Sequence, residues 1–263
     1  MKQIPNIFTL LNLVFGCAAI VCILQSNLLL TISEDDKQYF ILPSEYRPEN
    51  IFWAPLFIAL AAVIDFLDGF TARLLKGSSD IGKQLDSLAD VVSFGVAPGM
   101  IIYQFLRISL SGQANGLDVN IAWLIPAFII PCAGAYRLAR FNCDAAQGYG
   151  FKGVPIPAAG LFIASFPLIY WYSDSGWVVQ LLVNKWVLFA VIGAVSYLMI
   201  STLPMMAFKF SGVTVHKLLP FIILAVIAIA AALAVHWIAV PVTFTAYVII
   251  SLLFEKKKKV NPA

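Results

Sequence analysis

From Ile64 to Val91 the chain reads IDFLDGFTARLLKGSSDIGKQLDSLADV, and this stretch decides how the rest is read. Asp65, Asp68, Gly69, Ala72 and Arg73 fall at i, i+3, i+4, i+7 and i+8, the spacing that stacks side chains on one helical face. Two carboxylates therefore project together, beside a strip without side-chain bulk. After a short turn containing Gly77, Ser78 and Ser79, a second helix presents Gly82, Asp86 and Asp90 at intervals of four, again on one face. An antiparallel pair of such helices brings four carboxylates to one spot.

The surroundings of these acids are apolar. Of 263 residues, 61% are hydrophobic and 12% charged, against about 45–50% apolar in soluble domains. Apolar stretches long enough for a bilayer recur from Pro5 to Phe254, more than a signal peptide or single anchor supplies. Eight candidate spans emerge: Ile7–Leu30, Ile51–Leu75, Ser87–Arg107, Ile121–Arg140, Ile156–Tyr172, Trp186–Phe208, Leu218–His236 and Trp237–Phe254. The expected fold is an all-α polytopic transmembrane bundle. Its parts are a six-span core over residues 1–215, a two-span hairpin over 216–254 and a basic cytoplasmic tail over 255–263.

The basic residues orient this bundle. With a cytoplasmic N-terminus, one side holds Lys2, Arg73, Lys76, Lys83, Arg137, Arg140, Lys152, Lys209, Lys217 and Lys256 to Lys259, and the other only Lys37, Arg47, Arg107 and Lys185. Thirteen against four is the asymmetry of the positive-inside rule. The net charge of +3 is too small and dispersed for a nucleic-acid partner. Cys17, Cys22, Cys132 and Cys143 lack the spacing of a zinc site or disulfide framework, and are read as packing residues. His216 and His236 fall near opposite faces, which leaves no histidine pair for a relay or metal. The acidic connector with Glu34, Asp35, Asp36, Glu45 and Glu49 is read as solvated, and the closing hairpin as without chemistry.

Four intramembrane carboxylates are costly, about 2.5–3.5 kcal/mol each at a helix centre and ~10 kcal/mol together. Arg73 is the one cation on the same two faces and cannot offset them; divalent cations can. Oxygen-only ligation suits magnesium, manganese or calcium rather than zinc. Two ions about 3.5–4 Å apart would clamp a diphosphate and spread charge developing at phosphorus. Gly69 and Ala72 would then leave room for a ligand against the backbone, or else allow two helices to pack closely. A cation-conducting or proton-coupled transport site is the alternative for the acids themselves.

In order, Asp65, Asp68, Gly69, Ala72, Arg73, Gly82, Asp86 and Asp90 form DxxDGxxAR(x8)GxxxDxxxD. This resembles the signature of the CDP-alcohol phosphotransferase family; it occupies residues 65–90, and the spans around it also fit. The resemblance implies a membrane enzyme with a six-helix core that joins an alcohol to the phosphatidyl part of a CDP-activated lipid and releases CMP. It implies that Asp65, Asp68 and Asp86 hold two divalent ions, Mg2+ or Mn2+ with Ca2+ also compatible. Asp90 beside them is a further ligand and the general base, while Gly69, Ala72, Arg73 and Gly82 line the CDP site.

DSLADVVSFGVAP at Asp86–Pro98, RLARFN at Arg137–Asn142, GVPIPAA at Gly153–Ala159 and the opening IPNIFTLLN are similar to the phosphatidylserine synthases of that family. The implied substrates are CDP-diacylglycerol and L-serine, drawn from among membrane lipids and the cytoplasm. Arg137 and Arg140, at i and i+3, suit a serine carboxylate and a diphosphate, since guanidinium forks match oxyanions; alternatively they mark the cytoplasmic end of a span. Lys152 is a further candidate. Asn6, Thr9 and Asn12 form a polar stripe that either borders the nucleotide or, for Asn6 and Thr9, caps a helix. Without an obvious covalent nucleophile, direct displacement is expected. A glycerol phosphate or inositol phosphate acceptor, and an intramembrane prenyltransferase, are the competing readings. Family members are often dimers, so a homodimer is implied, and a prokaryotic inner membrane with a cytoplasm-facing site is the expected location.

Overall fold

The computed structural model describes residues 4–25, 31–32, 38–39, 49–74, 80–111, 119–143, 151–206 and 215–260. Within these, the side chains of 4–5, 31–32, 38–39, 49, 72–74, 80, 151, 215–217 and 255–260 are not described. The 77–79 turn, and Glu34, Asp35, Asp36 and Glu45 of the acidic connector, lie outside the described residues.

The chain is a helical bundle. Its helices are α1 (Ile4–Leu24), α2 (Glu49–Leu74), α3 (Asp80–Asp90), α4 (Ala97–Ser111), α5 (Ile129–Cys143), α6 (Ile156–Tyr172), α7 (Gly176–Leu182), α8 (Lys185–Ile200), α9 (Val215–Val235) and α10 (Ala239–Val260). Two antiparallel pairs of two-residue strands accompany them: β1 (Thr31–Ile32) with β2 (Gln38–Tyr39), and β3 (Phe151–Lys152) with β4 (Pro204–Met205). Pro55, Pro167 and Pro220 sit inside helices, which membrane bundles tolerate because neighbouring groups take up the freed carbonyls.

Among the described residues, five helical runs are long and apolar enough to cross a bilayer: Asn6–Leu24, Asn50–Thr71, Ile81–Ser111, Ile121–Cys143 and Leu218–Phe254. The pair α7 and α8, bent by 62°, makes a sixth if taken as one crossing. The reading of about eight spans differs in two places. It counts α6, whose 17 residues rise only about 25 Å, and it divides the last run in two. That run does turn, at a 3-10 segment His236–Ile238 where His236 takes a φ of 49°, and α9 and α10 pack on each other.

The ends of the bundle differ in chemistry. At one end Phe52 meets Trp171 and Tyr172 at ring-centroid distances of 5.5 and 5.7 Å, and Tyr172 stacks on Trp237 at 6.2 Å. The Lys185 ammonium lies 5.6 and 5.7 Å from the Trp123 and Trp186 rings. This is the composition of a membrane–water interface, where amphipathic rings and lysine stems are at home. All four aspartates of the motif lie toward the other end.

The run Ile81–Ser111 is the axis: 67% of its most apolar stretch is buried, against 11% for Leu218–Phe254. Between α3 and α4 it passes through a π-helical turn, Val91–Val96, where the Ala97 N–H donates to the Val92 carbonyl. Small residues let three helices close on that turn. A Cβ on Gly16 of α1 would lie 2.4 Å from Ser93 Oγ, one on Gly160 of α6 would lie 2.9 Å from the Phe94 carbonyl oxygen, and one on Gly95 would lie 3.3 Å from Pro131 Cα of α5.

A second close approach fixes the site end of α8. Gly153 follows β3 with a φ of 74°, and a Cβ there would meet the Met199, Ser201 and Leu198 carbonyl oxygens at 2.4, 2.9 and 3.1 Å. Its N–H donates to Leu203 O at 2.9 Å. Gly153→Ala combines a left-handed backbone with a clash against three carbonyls, and is expected to cost about 2 kcal/mol or more. Gly193→Ala on the same helix α8, where an added Cβ meets nothing within 4 Å, should instead gain up to about 1 kcal/mol from helix propensity. Thermal unfolding in detergent should therefore shift in opposite directions for the two variants.

Candidate functional site

The site begins with α2. Asp65 and Asp68 stand near its end, one helical turn apart, with Asp65 half-buried and Asp68 6% exposed. From α3 come half-buried Asp86 and Asp90, the latter 7% exposed. Carboxylate oxygens of Asp65, Asp86 and Asp90 all lie within 4.8 Å of one another. Asp68 stands beside this trio, and its charge is felt by both Asp65 and Asp86. The four carboxylates are thus neighbours, with three in the tightest group.

Helix α1 packs against both aspartate helices. The Thr9 hydroxyl donates to Asp68 Oδ2, and Asn12 Nδ2 donates to Asp90 Oδ1 at 3.2 Å. The Asn12 carbonyl in turn accepts from Ser93 Oγ of the π turn at 3.0 Å. Since α1 already starts at Ile4, neither Asn6 nor Thr9 caps it. Asn6 lies half-buried on the same helix.

Helix α5 supplies the cations. Arg137 is 4% exposed, lies within electrostatic reach of Asp90, and has no hydrogen-bond partner at Nε among the described residues. Arg140 is engaged otherwise: its Nη1 and Nη2 donate to the Ile200 and Ser201 carbonyls at 2.6 and 3.1 Å, closing the C-terminal end of α8. A cation there also complements the helix dipole. Asn142 Nδ2 donates to Ser87 Oγ at 2.8 Å, tying α5 to α3 beside Asp86.

Other candidates scatter around this centre. Gly69 is exposed, and among the described residues an added Cβ would meet nothing within 4 Å, so close helix packing does not explain its small size. Gly82 is half-buried on α3 and Lys152 is exposed on β3. Ala72 and Arg73 continue α2, but their side chains lie outside the described residues.

The sequence reading missed Tyr247. It belongs to α10 of the closing hairpin, expected to carry no chemistry, yet it is 6% exposed and within electrostatic reach of Arg137. Its hydroxyl donates to Met206 O at 3.3 Å. A lone tyrosine in an apolar helix gives no pattern by which sequence alone could have found it. The four cysteines are free thiols.

The donor set fits a hard divalent cation. Asp68 Oδ1 is buried without a hydrogen-bond partner among the described residues, and a buried carboxylate oxygen left so calls for a counter-charge. Three further carboxylates nearby, all oxygen donors, are the chemistry of Mg2+, Mn2+ or Ca2+ sites.

Comparison with known proteins finds relatives for most of this chain. Residues 2–195 match the family model described as CDP-alcohol phosphatidyltransferase. The chain is 42% identical over 124 residues to an archaetidylserine synthase of Methanothermobacter thermautotrophicus, covering 46% of this chain and 48% of that one. Two proteins named CDP-diacylglycerol–serine O-phosphatidyltransferase are also similar. That of Bacillus subtilis is 36% identical over 121 residues, 46% of this chain and 63% of its own. That of Mycobacterium leprae is 31% identical over 198 residues, 72% of this chain and 60% of its own. The matched segments thus span from about half to under two thirds of these relatives' length. With the family match extending over most of its length and the aspartate motif converging in space, this integral membrane protein belongs to the CDP-alcohol phosphatidyltransferase family.

Proposed function

We propose that the protein is a CDP-diacylglycerol–serine O-phosphatidyltransferase, making phosphatidylserine and CMP at the cytoplasmic face of a prokaryotic inner membrane. The observation that carries this reading is the convergence of Asp65, Asp86 and Asp90 within 4.8 Å, beside Asp68 and the unpartnered Nε of Arg137. The names of the relatives, which specify serine, support it as the acceptor. The catalytic part is the six-span core, residues 1–215, and a homodimer is the proposed assembly.

Asp65, Asp68 and Asp86 would hold the divalent ions, Mg2+ or Mn2+, with Asp90 at their edge as the general base. When bound, such ions neutralise a diphosphate and spread the charge that develops during displacement at phosphorus. The lipid tails stay in the hydrocarbon while CDP lies along the open face at Gly69, with Ala72, Arg73 and Gly82 bordering it. Asp90 takes the proton from the serine hydroxyl as that oxygen attacks the lipid-bearing phosphorus. The new phosphorus–oxygen bond forms as the bond to the CMP oxygen breaks, and CMP carries away the electron pair. Arg137 binds the serine carboxylate through its guanidinium. Lys152 and Asn6 would add polar contacts to the substrates. Arg140 contributes by holding the end of α8 and thereby the α5 end that carries Arg137.

The direct test is CMP release by purified protein supplied with CDP-diacylglycerol, labelled serine and Mn2+ or Mg2+. Label should enter lipid in step with CMP; transfer to glycerol phosphate or inositol phosphate with serine inert would reassign the acceptor. Asp65→Asn, Asp68→Asn and Asp86→Asn should each abolish activity together with Mn2+ binding. Asp90→Asn should retain Mn2+ yet lose turnover by about 10²–10⁴-fold, the usual worth of a general base. Arg137→Lys should raise the KM for serine about ten- to a hundredfold, as loss of a charged hydrogen bond worth 1.5–3 kcal/mol implies. The KM for CDP-diacylglycerol should move far less; if only the lipid constant changes, the serine pocket lies elsewhere.

A further inference from the structure

Two polar residues of α1 have no place in the mechanism above, and both are tightly enclosed. Thr9 is 2% exposed and Asn12 0%, in a helix otherwise rich in apolar residues. They stand three positions apart, so both project from one face across adjacent turns. Each engages one carboxylate from a different helix: Thr9 takes Asp68 Oδ2 of α2, and Asn12 takes Asp90 Oδ1 of α3. In both cases one oxygen of the carboxylate is occupied, and for Asp68 the other is buried without a hydrogen-bond partner.

Helix α1 is itself locked at this height. Ser93 Oγ donates to the Asn12 carbonyl at 3.0 Å, and Gly16, one turn further on, admits Ser93 so closely that a Cβ would sit 2.4 Å from its hydroxyl oxygen. Beyond the site, Asn50 Nδ2 of α2 donates to Gln25 O just past the end of α1 at 3.1 Å. A hydroxyl and an amide placed on so constrained a rod are poorly explained by solubility or capping. They are well placed to fix the direction in which two carboxylates point.

We propose that Thr9 and Asn12 are a pair of positioning residues with separate duties: Thr9 aims Asp68 at the divalent cation, and Asn12 aims Asp90 at the acceptor hydroxyl. This rests on the proposed phosphatidyltransfer for the second duty, and only on the aspartate centre for the first. Neither residue touches the reacting atoms. By holding one carboxylate from each helix, α1 sets the separation of α2 and α3 at the site, a distance that repulsion among the acids would otherwise increase.

The duties separate experimentally in the full-length protein in detergent, with Mn2+ binding followed by electron paramagnetic resonance and turnover by CMP release. Thr9→Val, which keeps shape and removes the donor, should weaken Mn2+ binding about ten- to a hundredfold, as loss of a partner to a metal ligand commonly does. Thr9→Ser should restore it. Asn12→Ala should leave Mn2+ affinity within about threefold and the KM for CDP-diacylglycerol unchanged, while kcat falls about ten- to a hundredfold. If Asn12→Ala does not fold, Asn12→Ser, too short to reach Asp90, carries the same expectation.

Unaltered Mn2+ binding in Thr9→Val overturns the first duty. A loss of Mn2+ affinity in parallel with kcat in the Asn12 variants, or no loss of kcat, overturns the second. Wild-type protein that binds Mn2+ but transfers to another alcohol removes serine from the proposed function, and the same kcat comparison with that alcohol then decides the inference. Wild-type protein that binds no Mn2+ overturns both.

Discussion

Like charges gathered in an apolar medium constrain everything else in this molecule. Asp65, Asp86 and Asp90 approach within 4.8 Å with Asp68 beside them, an arrangement that a bilayer-embedded helix pair has no electrostatic reason to adopt alone. It persists because the surrounding scaffold over-determines it. Thr9 and Asn12 each occupy an oxygen, Arg137 brings positive charge from α5, and Asn142 ties α5 to α3 through Ser87. Such a cluster offers several oxygen donors close enough together that they could hold a cation.

The scaffold pursues rigidity by removing side chains. Gly16, Gly95 and Gly160 surround the π turn, and Gly153 nests among the last carbonyls of α8. Helices in lipid gain little from hydrophobic association, so van der Waals contact at short range has to supply the cohesion. Gly69 stands apart from this pattern, on an exposed face with nothing within 4 Å of an added Cβ. The same residue type therefore serves two ends in one chain: close approach between helices in one place and open space in another.

Much of this was legible in the sequence because its signals are local and periodic. The all-α membrane architecture follows from apolar runs, and the shared face of Asp65 with Asp68, and of Asp86 with Asp90, follows from intervals of three and four. What stayed hidden depends on which distant helices meet. Arg140 reads as an oxyanion ligand beside Arg137, yet its guanidinium is occupied by the Ile200 and Ser201 carbonyls, sixty residues away. Tyr247 was invisible for the same reason, since nothing in its own helix marks the proximity to Arg137. The crossing count was ambiguous because α6 is short and the turn at His236 interrupts an otherwise continuous apolar run.

The π turn at Val91–Val96 begins immediately after Asp90. Each residue advances an α-helix by about 100°, and the wider turn inserts an additional residue into that winding without breaking the rod. The azimuth of the acidic segment and the azimuth of the buried α4 segment are thereby decoupled. Evolution could adjust the bearing of the carboxylates in such a membrane rod independently of the seam along which the rod is packed, an adjustment that an uninterrupted α-helix would not allow.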